Sequence, residues 1–148
     1  MKGFALACEG RVLPEWIDRN RHMNMARYLG LFDEACDALL SRSEIIEAGN
    51  DLTVVAGRVQ MAHRRELFEG EHWQVWSGLA SVTEKSIVFV HRLLRENKVC
   101  ATCDIYSAPF SMAKRSRTTI DCEQVRRLLK LVVPGIRDPF ALSIEGDA

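Results

Sequence analysis

The chain has 148 residues, with 20 basic and 20 acidic side chains and therefore no formal net charge. It lacks the basic excess that a nucleic-acid-binding domain usually carries, and its 47% hydrophobic and 27% charged residues are typical of an ordinary globular domain. No apolar stretch approaches the roughly 20 residues of a membrane-spanning helix. We therefore expect a single domain over residues 1–148, located in the cytoplasm, that binds neither nucleic acid nor membrane.

Five cysteines, an odd number, suit a reducing compartment. Cys100 and Cys103 form a CxxC motif inside an apparent strand. Because side chains three positions apart on a strand point to opposite faces, we expect the two thiols to diverge and to be buried structural residues. No second CxxC pair is present to complete a four-cysteine zinc site.

The first forty residues predict a strand followed by a long helix. Apolar and polar side chains alternate over residues 4–12, and Pro14 ends this strand. Asn24 is a suitable N-cap for a helix that runs to about Leu40. Apolar residues recur at helical spacing from Tyr28 to Leu39. The stripe is so broad that we expect a sheet to wrap most of this helix.

Four strands are predicted after a polar connector. They cover residues 52–67, 73–79, 86–95 and 99–107, with a tight hairpin at 96–98. In the first of them we expect one face to carry Val55, Gly57, Val59 and Met61. The strand over 86–95 is apolar on both faces and needs cover on both. One face can take the helix, and we expect a second subunit on the other, which predicts a homodimer or a dimer of dimers.

The C-terminal part predicts a second, shorter helix. Asp121 and Gln124 form a capping-box variant that opens it, and Pro134 with Gly135 stops it after about Leu131. We expect residues from about 133 to 148 to form a loosely held tail. The order of elements indicates an α+β fold, with one long helix cupped by a curved antiparallel sheet of about five strands.

The segment between the first strand and the long helix carries the most distinctive chemistry. Within seven residues it places an acid, two amides and an imidazole: Asp18, Asn20, His22 and Asn24. A carboxylate there lies beside the unpaired N–H groups of a helix N-terminus, which stabilise developing negative charge.

The pattern Asp18-x-Asn20-x-His22-Met23-Asn24-x-x-x-Tyr28 resembles the signature Asp-x-Asn-Gly-His-Met-Asn-x-x-x-Tyr of the hotdog-fold acyl-CoA thioesterases, in the 4-hydroxybenzoyl-CoA thioesterase-like branch. The resemblance implies a hotdog fold and hydrolysis of an acyl-CoA to the free acid and CoA. It implies that Asp18 is the nucleophile or general base and that the backbone amide of Met25 polarises the carbonyl. Asn24 then caps the helix, while His22 and Asn20 shape the loop and contact the pantetheine arm, and direct catalysis by His22 is the alternative to a loop-ordering role.

One position departs from the signature, because Arg21 stands where the family usually has glycine. Glycine at such a position commonly marks a left-handed backbone or close approach of a ligand. Two interpretations remain open at this stage. Either the loop takes an ordinary conformation here, or Arg21 places a cation at the mouth of the acyl tunnel, where it suits an acyl group bearing a carboxylate.

The expected acyl pocket is apolar and of medium size, which favours a short-to-medium or aromatic acyl group. The helix contributes Met25, Tyr28 and Leu29, and the facing strand contributes Val59 and Met61. The resemblance places the tunnel between two subunits. Basic residues at its rim are candidates for the phosphates of CoA, with a solvated charge cluster as the alternative: Arg64, Arg65, Lys114, Arg115 and Arg117.

Neither a metal nor an organic cofactor is predicted. His63, His72 and His91 lie on three separate strands without ligand spacing, and the proposed chemistry uses only a carboxylate and backbone donors. Glu34 in the middle of the helix is a second candidate acid, with a surface role favoured.

Two other functions stay open. A hotdog enoyl-CoA hydratase has a motif resembling Asp-x-Asn-Pro-x-His, but the histidine here follows one residue too early and the proline is missing. Since hydration needs an aspartate and a histidine to converge on one water, this spacing favours the thioesterase. A non-catalytic acyl-CoA-binding or regulatory module is the other alternative; Asp18 argues against it and Arg21 weakly for it.

Overall fold

The fold is a six-stranded antiparallel sheet with one long helix on one face, and the computed structural model describes residues 1–141 of the chain. The main strands are joined in the order β1-β3-β4-β5-β2, and a short β6 pairs with β5. The strands are β1 (Ala5–Arg11), β2 (Leu52–His63), β3 (His72–Val82), β4 (Ile87–Arg95), β5 (Lys98–Ser111) and β6 (Ser116–Arg117); the helices are α1 (Met25–Arg42) and α2 (Cys122–Leu129). The predicted α+β hotdog architecture is confirmed.

Helix α1 begins where its capping residue predicts. The side-chain oxygen of Asn24 accepts a hydrogen bond from the Ala26 amide at 2.9 Å, which satisfies one of the free donors of the first turn. The helix ends at Arg42, and its apolar side packs into the core with Phe32 and Ala35 fully buried. Neither described helix is long and apolar enough to span a bilayer.

The expected face assignment of strand β2 is wrong because of a β-bulge at Gly57. The pairing with β5 shifts between Ala56 and Arg58, so that Val55 pairs with Ala108 whereas Val59 pairs with Ile105. Positions three apart on β5 face opposite sides, and the bulge therefore puts Val55 and Val59 on opposite faces. Val59 shares the α1 side with Met61. The strand also ends at His63 rather than at residue 67.

A second correction concerns the cover of β4. Val88 and Val90 on its second face are each 1% exposed within the single chain. The segment after α2 provides the cover: Val133 packs so closely on Gly78 that a side chain there would collide with it, and Gly78 pairs with Val90. Burial of β4 on both faces thus requires no second subunit.

The chain after residue 133 is packed as far as the structure describes it. Val133 is 3% exposed, Phe140 is 6% exposed, and the Phe140 ring lies edge-on to Tyr106 of β5 with centroids 6.4 Å apart. The expected loose tail is therefore wrong for residues 133–140. Residues 142–148, which belong to the same prediction, lie outside the described part.

The two CxxC thiols are buried, as expected, and form no disulfide, but they do not diverge. The β4–β5 pairing shifts beside Cys100, because Leu93 pairs with Ala101 and Leu94 with Val99. This bulge turns Cys100 into the same core cluster as Cys103. Burial raises the pKa of Cys103 to about 12, so this thiol stays protonated and unreactive at neutral pH.

One polar group, His91 of β4, lies in the centre of the core. Its Nδ1 is 2.7 Å from the Ser77 hydroxyl, its Nε2 is 3.3 Å from the Cys36 sulfur, and its ring stacks between Phe32 and Phe89. Burial lowers the pKa of His91 to about 3. The imidazole is therefore neutral in the folded protein at physiological pH.

This burial predicts a fold that weakens in mild acid. Below pH 6.5 the unfolded chain binds a proton on His91, while the folded protein does not until about pH 3, so the free energy of unfolding falls as pH drops through that window. From pH 6.5 to 5 the loss is about 2 kcal/mol. Urea unfolding at both pH values should show it in the natural protein and not in His91→Phe. The exposed-site control His72→Phe should keep the natural slope; the same slope in His91→Phe would contradict the prediction.

Candidate active site

The motif loop is a short, closely bonded connection between a 3₁₀ turn, Pro14–Trp16, and α1. Ile17 and Met23 form an isolated antiparallel bridge across it. The Met23 amide donates to the Leu67 carbonyl at 2.8 Å, and the Asn24 amide donates to the Trp16 carbonyl at 2.8 Å. These bonds fix the loop to the segment after β2 on one side and to the 3₁₀ turn on the other.

The carboxylate of Asp18 is held by one donor on each oxygen. The Asn20 amide donates to Oδ1 at 2.8 Å, and the Asn24 side-chain amide donates to Oδ2 at 2.9 Å. These donors, the Asn20 amide first, hold the pKa of Asp18 below its usual value. Asp18 is therefore ionised at neutral pH, and each oxygen keeps a free lone pair for a reactant.

The first turn of α1 leaves one amide available beside this carboxylate. The Ala26 amide donates to the Asn24 side chain and the Arg27 amide to the Asn24 carbonyl. Within residues 1–141, no hydrogen bond engages the Met25 amide. Asn24 thus joins the two halves of the arrangement, because one end of its side chain caps the helix and the other holds Asp18.

The backbone conformation of Arg21 excludes one of the two interpretations that the sequence left open. Its φ angle is +64°, in the left-handed region that favours glycine. The loop therefore keeps the conformation associated with the family glycine, which excludes the interpretation with an ordinary backbone. The Arg21 amide donates to the Asp18 carbonyl at 2.9 Å, and its side chain is exposed at the surface beside the motif.

A cavity of about 290 Å³ opens between the start of α1 and the end of β2. The buried Tyr28 packs edge-on against His63 with centroids 4.7 Å apart. Burial raises the pKa of Tyr28 to about 12, so its hydroxyl remains a donor. Asp18 lies outside this lining, which consists of His22, Met23, Met25, Tyr28, His63, Arg64, Arg65 and Glu66.

Three of the lining residues, Met23, His63 and Glu66, were not among the candidate site residues from the sequence. The His22 Nδ1 is 3.1 Å from the Met23 carbonyl, and its Nε2 is 3.7 Å from a Glu66 carboxylate oxygen. Nothing local in the sequence marks Glu66, because only the contact of the 64–67 segment with the motif loop brings it here. Residues 1–141 hold no cluster of three or more potential metal ligands.

The predicted acyl-pocket and phosphate-contact residues are divided between two ends of the sheet. Leu29 and Val59 are exposed, and Met61 packs partly against the core. Arg64 and Arg65 line the cavity at the end of β2. Arg115 lies in the turn after β5, over the Phe110 ring at 5.3 Å. Residues 101 to 111 of β5 separate the two ends, which is roughly 33 Å at 3.3 Å per residue.

Comparison with known proteins agrees with this fold. The model of the thioesterase-like superfamily matches residues 12–129, and the chain therefore belongs to that family. No significant match is found among curated protein sequences.

Solved structures with the same fold are distant in sequence. A Staphylococcus aureus protein in complex with CoA shares 21% identity, with a TM-score of 0.77 over 96% of this chain and 94% of that one. A Pseudomonas aeruginosa protein shares 14%, with a TM-score of 0.79 over 88% and 98%. A 1,4-dihydroxy-2-naphthoyl-CoA thioesterase from Synechocystis shares 11%, with a TM-score of 0.73 over 85% and 96%. At these identities the similarity establishes the fold.

The double role of Asn24 can be separated by mutation. Asn24→Ser keeps a capping oxygen but loses the donor to Asp18, whereas Asn24→Ala loses both. We expect both variants to raise the pKa of Asp18, measured by NMR titration of its carboxyl carbon. Because Asn24→Ala also loses the cap, its free energy of unfolding should fall about 1 kcal/mol below that of Asn24→Ser. An unchanged Asp18 titration in both variants would show that Asn24 does not hold the carboxylate.

Proposed function

We propose that this protein is an acyl-CoA thioesterase in which Asp18 is the catalytic carboxylate. Two observations together carry the proposal. The ionised Asp18 carboxylate accepts two hydrogen bonds, and the Met25 amide at the start of α1 has no hydrogen-bond partner within residues 1–141. A helix N-terminus favours negative charge. The arrangement therefore supplies a base or nucleophile and, beside it, a donor for the oxyanion of a tetrahedral intermediate.

Two routes use the same groups. As a nucleophile, Asp18 attacks the thioester carbonyl, the C–S bond breaks to release CoA thiolate, and water then hydrolyses the acyl-aspartate anhydride. As a general base, Asp18 takes a proton from the water that attacks the carbonyl. The Met25 amide stabilises the oxyanion in both routes, and Asn20 and Asn24 keep Asp18 in place.

For the substrate we propose a short-to-medium or aromatic acyl-CoA, as in the 4-hydroxybenzoyl-CoA branch that the motif resembles. Met25, Tyr28 and Leu29 of α1 form one wall, and Val59 and Met61 on the α1 side of β2 form the other. Arg64 and Arg65 suit the phosphates of CoA. The CoA complex and the aromatic-acyl thioesterase among the structural neighbours support this choice.

Arg21 adds a preference within that class. Because its backbone is left-handed and its side chain is exposed at the motif loop, we propose that its guanidinium faces the mouth of the acyl tunnel. A terminal carboxylate on the acyl chain would there gain a charge-assisted hydrogen bond.

The orientation of His22 favours hydrolysis over hydration. Its two nitrogens face the Met23 carbonyl and Glu66, whereas the oxygens of Asp18 bind Asn20 and Asn24. Asp18 and His22 therefore share no common partner, although a hydratase needs the two groups to converge on one water.

We further propose a homodimer that pairs through β2, or a dimer of such dimers, in a reducing cytoplasm. Strand β2 is the last in the sheet, and its outer edge has no partner within residues 1–141. Val55 and Val59 are 38% and 46% exposed on its two faces. Antiparallel pairing of two β2 edges would place the partner's Arg115 at the end of the sheet where Arg64 and Arg65 line the cavity. Such pairing would bring the residues predicted to contact the CoA phosphates together at one end of the sheet.

The catalytic assignment is tested by thiol release from purified protein. Asp18→Asn should lower kcat by roughly 10²–10⁴ because it removes the acid–base or nucleophilic group while keeping the shape. The panel should contain medium-chain, aromatic and dicarboxylic acyl-CoAs, with enoyl-CoA absorbance as the hydratase control.

Glu34→Gln provides the matched carboxylate control on the neighbouring helix α1 and should keep natural turnover. Full activity of Asp18→Asn together with loss in Glu34→Gln would move the catalytic acid to Glu34. Absence of thiol release from every acyl-CoA, with binding retained, would favour the non-catalytic module.

The dimer is tested by sedimentation at micromolar concentration. Val55→Lys, on the face of β2 opposite the proposed pocket, places a charge in the proposed β2–β2 contact and should shift the protein toward monomer, with loss of activity because the site is completed by the partner. Leu129→Lys introduces the same charge at an exposed apolar position on α2 and should leave the assembly unchanged. A stable, active monomer of the natural protein would overturn the proposal.

A further inference from the structure

His22 and Glu66 form a pair beside the thioester site that the mechanism above does not use. We propose that Glu66 positions a protonated His22, which donates a proton to the thiolate of CoA as it leaves. This inference rests on the proposed thioesterase function. It adds His22 as the catalytic proton donor and Glu66 as its positioning residue.

The hydrogen bond to the Met23 carbonyl determines which ring nitrogen of His22 carries a hydrogen in the neutral form. A backbone carbonyl only accepts, so Nδ1, at 3.1 Å from the Met23 oxygen, must carry a hydrogen. In the neutral ring Nε2 would then present its lone pair to the Glu66 carboxylate at 3.7 Å, which is repulsive. In the imidazolium ring Nε2 presents an N–H instead. The Glu66 carboxylate therefore faces Nε2, the ring nitrogen that donates the proton in the proposed step.

Glu66 is held in this place by its own backbone. Its carbonyl accepts from the Arg95 guanidinium at 3.2 Å, and Arg95 is itself bound by Glu71 at 2.8 Å. The next residue, Leu67, is buried and accepts the Met23 amide. The segment that carries Glu66 is thus anchored to β4 on one side and to the motif loop that carries His22 on the other.

The other charged groups near the His22–Glu66 pair do not take over the positioning role of Glu66. Asp18 is the second carboxylate near His22, and the electrostatic influence of His22 contributes to its lowered pKa. Glu66 is the carboxylate that shares the cavity lining with His22. The remaining titratable and cationic neighbours come from the motif loop, α1 and the end of β2: Arg19, Arg21, Tyr28, His63, Arg64 and Arg65.

The proton balance closes with groups that the site contains. When the C–S bond breaks, the electron pair goes to sulfur, and Nε2 of His22 transfers its proton to give the free thiol. Asp18 accepts a proton from the attacking water, either directly or when the acyl-aspartate is hydrolysed. Return of that proton through solvent restores both His22 and Asp18.

The test compares two thioesters of the same acyl group, one of CoA and one of an aryl thiol. An aryl thiol is more acidic and leaves as a stable thiolate without a proton. For the CoA ester, kcat/KM should fall about 10²-fold in His22→Gln and about tenfold in Glu66→Gln, the scale of losing or misplacing a general acid. For the aryl ester, kcat/KM should stay at the natural value in both variants. Glu69→Gln, an exposed carboxylate in the same segment, should leave both substrates unaffected.

A fall of equal size on both esters would overturn the proposal, because it would show that the pair only shapes the loop. Natural kcat/KM of Glu66→Gln on the CoA ester would remove Glu66 from the mechanism while leaving Asp18 hydrolysis intact. Lack of thiol release by the natural protein from either ester would instead defeat the thioesterase function itself. Thermal unfolding of each variant separates loss of the fold from loss of the proton donor.

Discussion

Burial of one amphipathic helix against one face of the sheet is the constraint on which the rest of this structure depends. Phe32, Ala35 and Leu39 of α1 are at most 1% exposed, and a fully buried residue such as Phe32 contributes about 1.5–3 kcal/mol. This packing fixes the axis of α1. The axis in turn fixes where its first turn, with the free Met25 amide and the Asn24 cap, meets the motif loop.

Polar groups at the site are satisfied mainly by the backbone, which makes the arrangement rigid before any substrate arrives. Asp18 takes one main-chain and one side-chain donor, and the loop itself is closed by main-chain bonds to Trp16 and Leu67. Preorganised donors cost no rearrangement when charge develops during a reaction. The left-handed Arg21 is tolerated within this frame because the loop is held on both sides.

The two faces of the sheet are covered unequally. This explains both the burial of Val133 and Phe140 and the exposure of strand β2 at the edge. Val133 and Phe140 complete the second face over β3, β4 and β5. On β2, the Arg58 guanidinium lies over the Phe140 ring at 5.5 Å, whereas Val55 and Val59 remain exposed to solvent. An uncovered terminal strand with apolar side chains is a template for strand pairing. The proposed β2–β2 contact would therefore lie next to the candidate site.

The sequence by itself determined the features that short-range physics controls. The Asn24 cap, the Asp121 capping box and the two-residue turn at Glu96 and Asn97 all formed where predicted, because each depends on a few adjacent residues. The alternating pattern of apolar residues likewise predicted the main strands and the α+β class.

Only the tertiary structure decided the features that depend on register and long-range contact. The bulges at Gly57 and Cys100 shift pairing by one residue and reverse which face a side chain occupies. Glu66 and His63 enter the site only because the end of β2 closes over the start of α1. Such contacts join residues some forty positions apart along the chain. Their geometry follows from how the whole sheet packs on the helix, and no local pattern carries it.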